Sequence, residues 1–162
     1  MKDRYEFDIS MRVSDMRAFM FYSNYRGFSG WFGVILSLAA LGLLIANFSS
    51  YDTGARLVLG FLAALFTIVN PLMILMKAPQ TVKLNPVYKK PLHYVLDEGG
   101  ITISQDETDQ SIEWSTGYKL IIKKNAYYLF TAKRFAFIFP KDELGGEAEE
   151  IREYIEKHIG VC

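Results

Sequence analysis

The chain has 162 residues, of which 51% are hydrophobic, and its 18 Lys and Arg residues balance its 18 Asp and Glu residues. A balanced charge provides no broad basic field, which argues against nucleic acid as a partner. The hydrophobic excess is too high for one ordinary soluble domain. The single cysteine, Cys162, is the last residue and leaves no internal disulfide to form.

Residues 1–26 are predicted to form a strand followed by a short interfacial helix. Apolar and polar side chains alternate strictly from Tyr5 to Val13, which is the period of a half-buried strand. A lone strand is unstable, so we expect this one to join a sheet formed elsewhere in the chain. Ser14 is a candidate N-cap for the helix, which leads into the first apolar run.

Residues 27–79 contain two uncharged apolar runs, and we place the spans at about 29–49 and 57–76. Each reaches the ~20 residues that a helix needs to cross a hydrocarbon core of roughly 30 Å. A short polar connector joins them, so we predict a two-helix transmembrane hairpin in the lipid bilayer. The alternative is a buried pair in a soluble bundle, but such helices usually keep a polar stripe and neither run has one.

Basic residues flank these two runs on their outer ends. Lys2, Arg4, Arg12, Arg17 and Arg26 precede the first run, and Lys77, Lys83, Lys89 and Lys90 follow the second. The connector holds only one basic residue, Arg56. Because basic segments remain in the cytoplasm, we predict a two-pass protein with both termini cytoplasmic.

The apolar runs also contain small and polar residues. Two pairs of small residues four apart would let helix backbones approach closely: Gly33 with Ser37, and Gly60 with Ala64. Pro71 removes a backbone donor and is expected to kink the second helix, while the Asn70 amide needs a partner in lipid. A packing role for Asn70 is favoured over a place in a transport path.

Residues 80–162 consist of short alternating segments separated by turn residues, a texture typical of antiparallel strands. The candidate strands are TVKLN, LHYVLD, GITISQ, QSIEWS, YKLIIKKN, AYYLFTA and RFAFIFP. An amphipathic helix is predicted after Gly145-Gly146, and its apolar stripe is Ala148, Ile151, Ile155 and Ile159. About seven strands covered by one C-terminal helix make this an α+β domain, in the arrangement of a pleckstrin-homology-like split barrel.

These features together resemble the YcxB-like family of small bacterial membrane proteins. The resemblance rests on YVLDEGGITIS, SIEWSTGYKLIIKKNAYYLF and FIFPKDEL, in which the matching residues are Tyr94, Leu96, Gly100, Ile101, Ile112, Trp114, Tyr127, Tyr128, Pro140 and Lys141. It implies a cytoplasmic domain like a pleckstrin-homology domain, anchored in the bacterial inner membrane. It implies no activity, because the family offers no assigned catalytic residues.

No catalytic, cofactor-binding or metal-binding constellation is recognisable in the sequence, so we do not expect an enzyme. His93 and His158 are the two histidines, and their spacing suggests neither a triad nor a metal cluster. The acidic loop from Asp106 to Asp109 lacks the spacing of a calcium loop. Trp114 is interpreted as a core anchor in preference to a ligand platform.

The one candidate binding set is Lys83, Lys89 and Lys90, which follow the second apolar run. Anionic lipid headgroups would attract basic residues there by about 1 kcal/mol each. The alternative is that these lysines only determine the topology.

The function predicted from the sequence is a membrane-anchored interaction or regulatory module whose cytoplasmic domain binds a protein or a lipid headgroup. The alternative is an accessory subunit of a transporter or enzyme complex, assembled with a membrane-protein partner, or as a homo-oligomer, through its two spans.

Overall fold

The computed structural model describes residues 2–106, 108–117, 119–132 and 135–160. Four residues of features predicted from the sequence lie outside the described residues: Glu107 of the acidic loop, Tyr118 of YKLIIKKN, Arg134 of RFAFIFP, and Cys162. The chain divides into two compact units: residues 1–16 with 80–162 form the first, and residues 17–79 form the second. The first unit is therefore discontinuous in sequence, because the second is inserted into it.

The α+β class is confirmed by the elements that the structure describes. The strands are β1 (Tyr5–Ile9), β2 (Leu92–Asp97), β3 (Gly100–Gln105), β4 (Thr108–Glu113), β5 (Lys119–Ile122), β6 (Ala126–Phe130) and β7 (Ala136–Pro140). The helices are α1 (Val13–Tyr25), α2 (Phe28–Ala46), α3 (Thr53–Ala64), α4 (Asn70–Leu84), α5 (Lys141–Leu144) and α6 (Ala148–His158). A π-helical turn, Leu65–Val69, joins α3 to α4, and 3-10 turns occupy Pro86–Tyr88, Trp114–Thr116 and Gly145–Glu147.

The strands of the first unit form two antiparallel sheets, with the orders β1-β2-β3-β4 and β5-β6-β7. The sequence predicted a split barrel of about seven strands, and the described strands form two open antiparallel sheets of four and three strands that do not close into a barrel. Strand β6 is buried along its whole length and forms the centre of the domain. The short turns between consecutive strands explain why the pairing is antiparallel throughout.

The N-terminal strand β1 pairs with β2, which lies on the far side of the apolar helices in sequence. The register places Tyr5 opposite Leu96, Phe7 opposite Tyr94 and Ile9 opposite Leu92. The prediction that this strand joins a sheet made elsewhere is therefore confirmed. Strand β1 is shorter than the alternating pattern suggests, because the chain turns into helix α1 at Val13.

Helix α6 packs its apolar face on the domain core. Its buried residues are Ala148, Ile151, Tyr154 and Ile155. The predicted stripe is thus correct at three positions, whereas Ile159 is only half-buried and Tyr154 was not anticipated. The Tyr154 ring meets the Tyr5 ring edge-on at 5.1 Å, so the helix also contacts β1.

One predicted strand is wrong. The segment TVKLN belongs to the last turns of helix α4, which ends at Leu84. Continuing an existing helix costs little even through β-branched residues, because nucleation has already occurred. The stop comes from Asn85 and Pro86, since the residue before a proline avoids the helical region.

In the second unit, helices α2 and α3 pack together through small residues. The buried face of α2 consists of Gly30, Gly33, Ser37 and Ala40. A Cβ atom on Gly33 would lie 2.3 Å from the Phe66 ring, so this position requires glycine. The second predicted pair plays no such part: a Cβ on Gly60 would meet nothing within 4 Å, and Ala63 is the buried residue of α3.

Polar side chains of the second unit satisfy its irregular backbone. The Ser37 hydroxyl donates to the Leu62 carbonyl at 2.8 Å and accepts from the Phe66 amide at 3.3 Å. The Tyr25 hydroxyl donates to the Phe66 carbonyl at 3.0 Å. These bonds surround the π-helical turn, where the regular pattern of helical hydrogen bonds is interrupted.

Asn70 begins helix α4, and its side chain lies near the Tyr25 hydroxyl of the same unit. No described hydrogen bond joins the two residues, so a partner for the Asn70 amide stays a prediction. Instead of a simple proline kink, the chain forms the π-helical turn directly before Asn70 and Pro71. The wider turn accommodates the missing N–H of Pro71, so the proline serves local packing.

Candidate ligand cleft

A cleft of about 650 Å³ lies in the first unit and is lined by residues from both sheets. Strands β2, β3 and β4 supply one wall, and β7 with the residues just before it supplies the other. This volume lies within the roughly 300–1,000 Å³ typical of small-molecule sites. The cleft is therefore the candidate functional site of the domain.

The alternation of side chains along the strands determines which residues face the cleft. Phe7, Tyr94, Ile103 and Gln110 are paired in one row across β1, β2, β3 and β4. The last three of these line the cleft. The neighbouring row, formed by Asp8, His93, Ser104 and Asp109, points to the opposite face because successive side chains alternate. The wall is thus apolar in the middle of the sheet and polar at its β4 edge.

Tyr94 is the most deeply placed polar residue of this wall. It is 3% exposed, and its ring stacks on Phe7 at 5.7 Å and meets Phe139 edge-on at 5.3 Å. Burial raises the pKa of Tyr94 far above its ordinary value, and the nearby Tyr88 raises it further. Burial also raises the pKa of Tyr88. Both phenols therefore stay protonated at neutral pH and act as hydrogen-bond donors.

The hydroxyl groups of Tyr88 and Tyr94 form no hydrogen bond with any residue in the described part of the chain. Neither hydroxyl is among the buried atoms that lack a partner in the described structure, so water in the cleft can reach both of them. Both tyrosines line the cleft, so their donors are available to a molecule that enters it.

The segment before β2 is held over one end of the cleft by Gln105 and Asp106. The Gln105 amide donates to the carbonyls of Val87 and Lys90, at 2.9 and 3.1 Å. The Asp106 carboxylate forms an ion pair with the Lys90 ammonium at 2.6 Å. Because the Asp106 and Lys90 side chains are both exposed, this ion pair contributes little to stability. It does neutralise the carboxylate of Asp106, which lines the cleft.

The predicted lysine set is only partly available for headgroups. Lys90 is engaged by Asp106, whereas Lys83 and Lys89 are exposed. Lys83 lies in the last turn of α4, and Lys89 follows the 3-10 turn Pro86–Tyr88. The expected loop between two strands is instead a connection from a helix to β2, so the three lysines are distributed over different elements. Their role in lipid contact remains a prediction.

Neither histidine belongs to a metal site in the described structure. The His93 ring nitrogen lies 2.7 Å from the Asp8 carboxylate, on the face of the sheet opposite the cleft. His158 stacks on Trp114 at 5.1 Å and contacts the Tyr154 carbonyl through its ring nitrogen. Among residues 2–106, 108–117, 119–132 and 135–160, no three His, Cys, Asp or Glu side chains could hold a metal ion together.

Trp114 does not line the cleft. It is 7% exposed, and its indole N–H donates to the Asp97 carbonyl at 2.8 Å. Its ring also meets Tyr154 of α6 at 6.1 Å, so it joins the end of β4 to the C-terminal helix. The interpretation of Trp114 as a core anchor is therefore confirmed.

One family model matches part of this domain. Residues 96–155 match the family model described as YcxB-like protein. This segment is YcxB-like. The match confirms the resemblance found in the sequence, and it extends from the end of β2 into α6. No curated protein and no solved structure matches the chain.

The residues that carry the YcxB-like resemblance mostly hold the domain together. Gly100 has a φ of +154°, and a Cβ there would lie 2.2 Å from the Ile112 carbonyl oxygen. The Tyr127 hydroxyl donates to the Glu149 carboxylate of α6 at 2.8 Å, and the Lys141 ammonium lies over the Tyr127 ring at 4.5 Å. Tyr94 belongs to the residues on which the sequence resemblance rests, although the matched segment begins after it, and Tyr88 belongs to neither. The resemblance gave Tyr94 no role in binding, so it did not indicate the donors in the cleft.

The signal that could have indicated the cleft is the polarity of the inward row. Gln105, Thr108 and Gln110 occupy cleft-facing positions of β3 and β4 where a closed core would need apolar residues. A strand that is polar on both faces indicates that neither face is fully packed.

Proposed function

We propose that this protein is a two-pass membrane protein whose YcxB-like domain lies in the cytoplasm and acts as an interaction or regulatory module. In this proposal α2 forms one span, α3 and α4 form the other, and the two sheets with α6 form a pleckstrin-homology-like domain. The observation that carries the proposal is the pairing of β1 with β2.

The pairing of β1 with β2 restricts the topology. Strand β1 precedes the first apolar helix, and β2 follows the second, yet their residues are paired in register. Strands pair at a spacing of about 4.8 Å, whereas a hydrocarbon core is roughly 30 Å thick. The two strands must therefore lie on the same side of any bilayer, and the chain between them must cross it an even number of times.

Three further contacts hold the N-terminal segment in the domain. Lys2 forms an ion pair with Glu147, and the Tyr154 hydroxyl donates to the Asp3 carbonyl at 3.0 Å. Arg12 forms an ion pair with Asp142 at 2.6 Å. These contacts support a domain that needs both ends of the chain.

The length and surface of the helices support insertion of both. The apolar helices Phe28–Ala46 and Thr53–Leu84 have 19 and 32 residues. At about 1.5 Å per residue their lengths are about 28 and 48 Å, so each can cross a bilayer. Large apolar side chains on both helices are exposed, including Trp31, Ile35, Phe61 and Ile68. Apolar surface of this extent would be unfavourable in water and is matched by lipid.

The distribution of basic residues supports the cytoplasmic side. The flanks of the two helices are basic, and the connector between α2 and α3 is nearly free of basic residues. The Arg56 guanidinium at the start of α3 stacks over the Phe48 ring at 4.6 Å, which keeps it beside the connector. By the positive-inside rule the connector faces outward.

The accessory-subunit alternative has less support from the structure. It relied on Asn70 and on small-residue faces that would be free to bind partner spans. Of these, the Gly33 and Ser37 face is covered by the adjoining helix of the same chain. The interaction module is therefore the function that we propose.

Cysteine labelling in intact bacterial cells tests the proposal. In a Cys162→Ser background, Ser50→Cys in the connector should react with a membrane-impermeant maleimide in whole cells. Asp8→Cys and Glu98→Cys should react only after the membrane is permeabilised. Reaction of the cysteines at 8 and 98 from opposite sides, or recovery of the protein in the soluble fraction, would contradict the topology.

A further inference from the structure

We propose that the cleft of the YcxB-like domain binds a small neutral amphipathic molecule. An oxygen acceptor of this molecule would accept hydrogen bonds from the Tyr94 and Tyr88 hydroxyls, and its apolar body would lie between the two sheets. This inference rests on the proposed function of the domain as an interaction module, and it specifies the class of ligand.

The two tyrosine donors define the polar end of the site. Tyr94 is 3% exposed, lines the cleft, and its hydroxyl has no hydrogen-bond partner in the described part of the chain. Tyr88 lines the same cleft and interacts electrostatically with Tyr94. A ligand oxygen with two lone pairs can accept from both hydroxyls, neither of which has a partner among the described residues.

The walls define the apolar end. Ile103 of β3 lines one side, and Phe137 and Ile138 of β7 line the other. Apolar walls around a few polar groups are the usual composition of a small-molecule site. A ligand body without polar groups is therefore favoured along this part of the cleft, since a polar body would lose its hydration without compensation.

The charges around the cleft favour a neutral head group. Among the described lining residues the one charged side chain is Asp106, and its carboxylate is already balanced by Lys90. An anionic head group would find neutral donors and a carboxylate, with no described cation of the lining to offset it. A carbonyl or ether oxygen needs only the hydroxyl donors.

Titration of the full-length protein in nanodiscs with 2-decanone tests this assignment. The protein carries 13C at its isoleucine δ1-methyl groups, so Ile103 and Ile138 report from the cleft. We expect saturable shifts at these two residues and none at Ile155, which is buried under α6. Because the shifts are specific to residues, partition of the ketone into lipid is not mistaken for binding.

Two variants test the role of the hydroxyl. Tyr94→Phe should weaken binding of 2-decanone about threefold to tenfold, the range expected for one hydrogen bond to a neutral acceptor. It should not lower the melting temperature of the unliganded domain, because the lost hydroxyl has no partner there. Tyr127→Phe is the matched control, since its hydroxyl is bonded to Glu149 and does not line the cleft. Its affinity should stay within twofold of the unaltered protein.

A filled cleft and a charged probe complete the test. Ile103→Phe, which adds volume inside the cleft, should abolish the shift at Ile138 while the other methyl signals stay dispersed. Decanoate should bind more weakly than 2-decanone. The assignment is overturned if 2-decanone causes no saturable shift, if Tyr94→Phe binds as well as the unaltered protein or melts earlier, or if decanoate binds more tightly. None of these outcomes depends on the labelling pattern that tests the topology.

Discussion

Replacing Trp114 with alanine is expected to unfold the YcxB-like domain. The indole is buried between the end of β4 and helix α6, and its N–H satisfies the Asp97 carbonyl. Loss of a buried tryptophan side chain costs about 3–5 kcal/mol. A small domain is stable by only about 5–15 kcal/mol, so a domain at the low end of this range would lose most of its folding free energy.

Pulse proteolysis across a urea series, with the protein in nanodiscs, measures this effect. Trp31→Ala is the matched control, because it is the same substitution at a side chain that is 66% exposed on α2. The control should leave the domain's urea midpoint unchanged. A Trp114→Ala domain that keeps its midpoint would mean that the indole is not a core anchor.

Replacing Ile9 with alanine is expected to destabilise the same domain by about 2–5 kcal/mol, the usual cost of truncating a buried isoleucine. Ile9 is 0% exposed and lies opposite Leu92 of β2. The substitution lies before the apolar helices, whereas the other six strands of the domain follow them. The change in the free energy of unfolding therefore measures how much the N-terminal strand contributes to the stability of the domain.

Ile35→Ala provides the comparison for Ile9→Ala. Ile35 is 58% exposed on α2, so the same change removes no buried contact of the domain. In urea-dependent proteolysis the Ile35 variant should match the unaltered protein, and the Ile9 variant should open at lower urea. Equal midpoints for all three proteins would indicate that β1 contributes nothing to the domain.

Periodicity in the sequence predicted most individual elements of this fold. Period-two alternation predicted β1, and the turn residues around Gly99 and Gly100 predicted the hairpin of β2 and β3. The stripe that includes Ile151 and Ile155 predicted α6. These patterns succeed because each depends only on which side chains are buried along one local element.

The errors arose where neighbouring structure decides the outcome. TVKLN alternates like a strand, but it continues the long helix before it and stops only at the proline. The division into two sheets also depends on contacts between distant segments, which a local pattern does not contain. The π-helical turn before Asn70 could not be predicted for the same reason, because it depends on a contact with Ser37 of helix α2.

The candidate site was less predictable than the fold. The sequence indicated the three lysines because a cluster of basic residues is visible in a short segment. In the structure, one of them, Lys90, forms an ion pair with Asp106. The sequence did not indicate a binding role for Tyr94, because a tyrosine in a strand is often buried, nor for Tyr88, which lies in the turn before β2. Only the structure reveals that both residues line a cleft and that their hydroxyls have no partner among the described residues.

Disulfide trapping in native membrane vesicles tests the central claim. This claim is that β1, which precedes the two apolar helices, and β2 to β7, which follow them, form one domain. In a Cys162→Ser background, Asp8→Cys with His93→Cys joins two side chains that are in contact, 2.7 Å apart. The control is Asp8→Cys with Asp109→Cys, in the same row but separated by β2 and β3. At about 4.8 Å per strand these positions are beyond disulfide reach. Oxidation should give an intramolecular disulfide between 8 and 93 and none between 8 and 109. Absence of the 8–93 disulfide, or its formation only between two chains, would contradict the account.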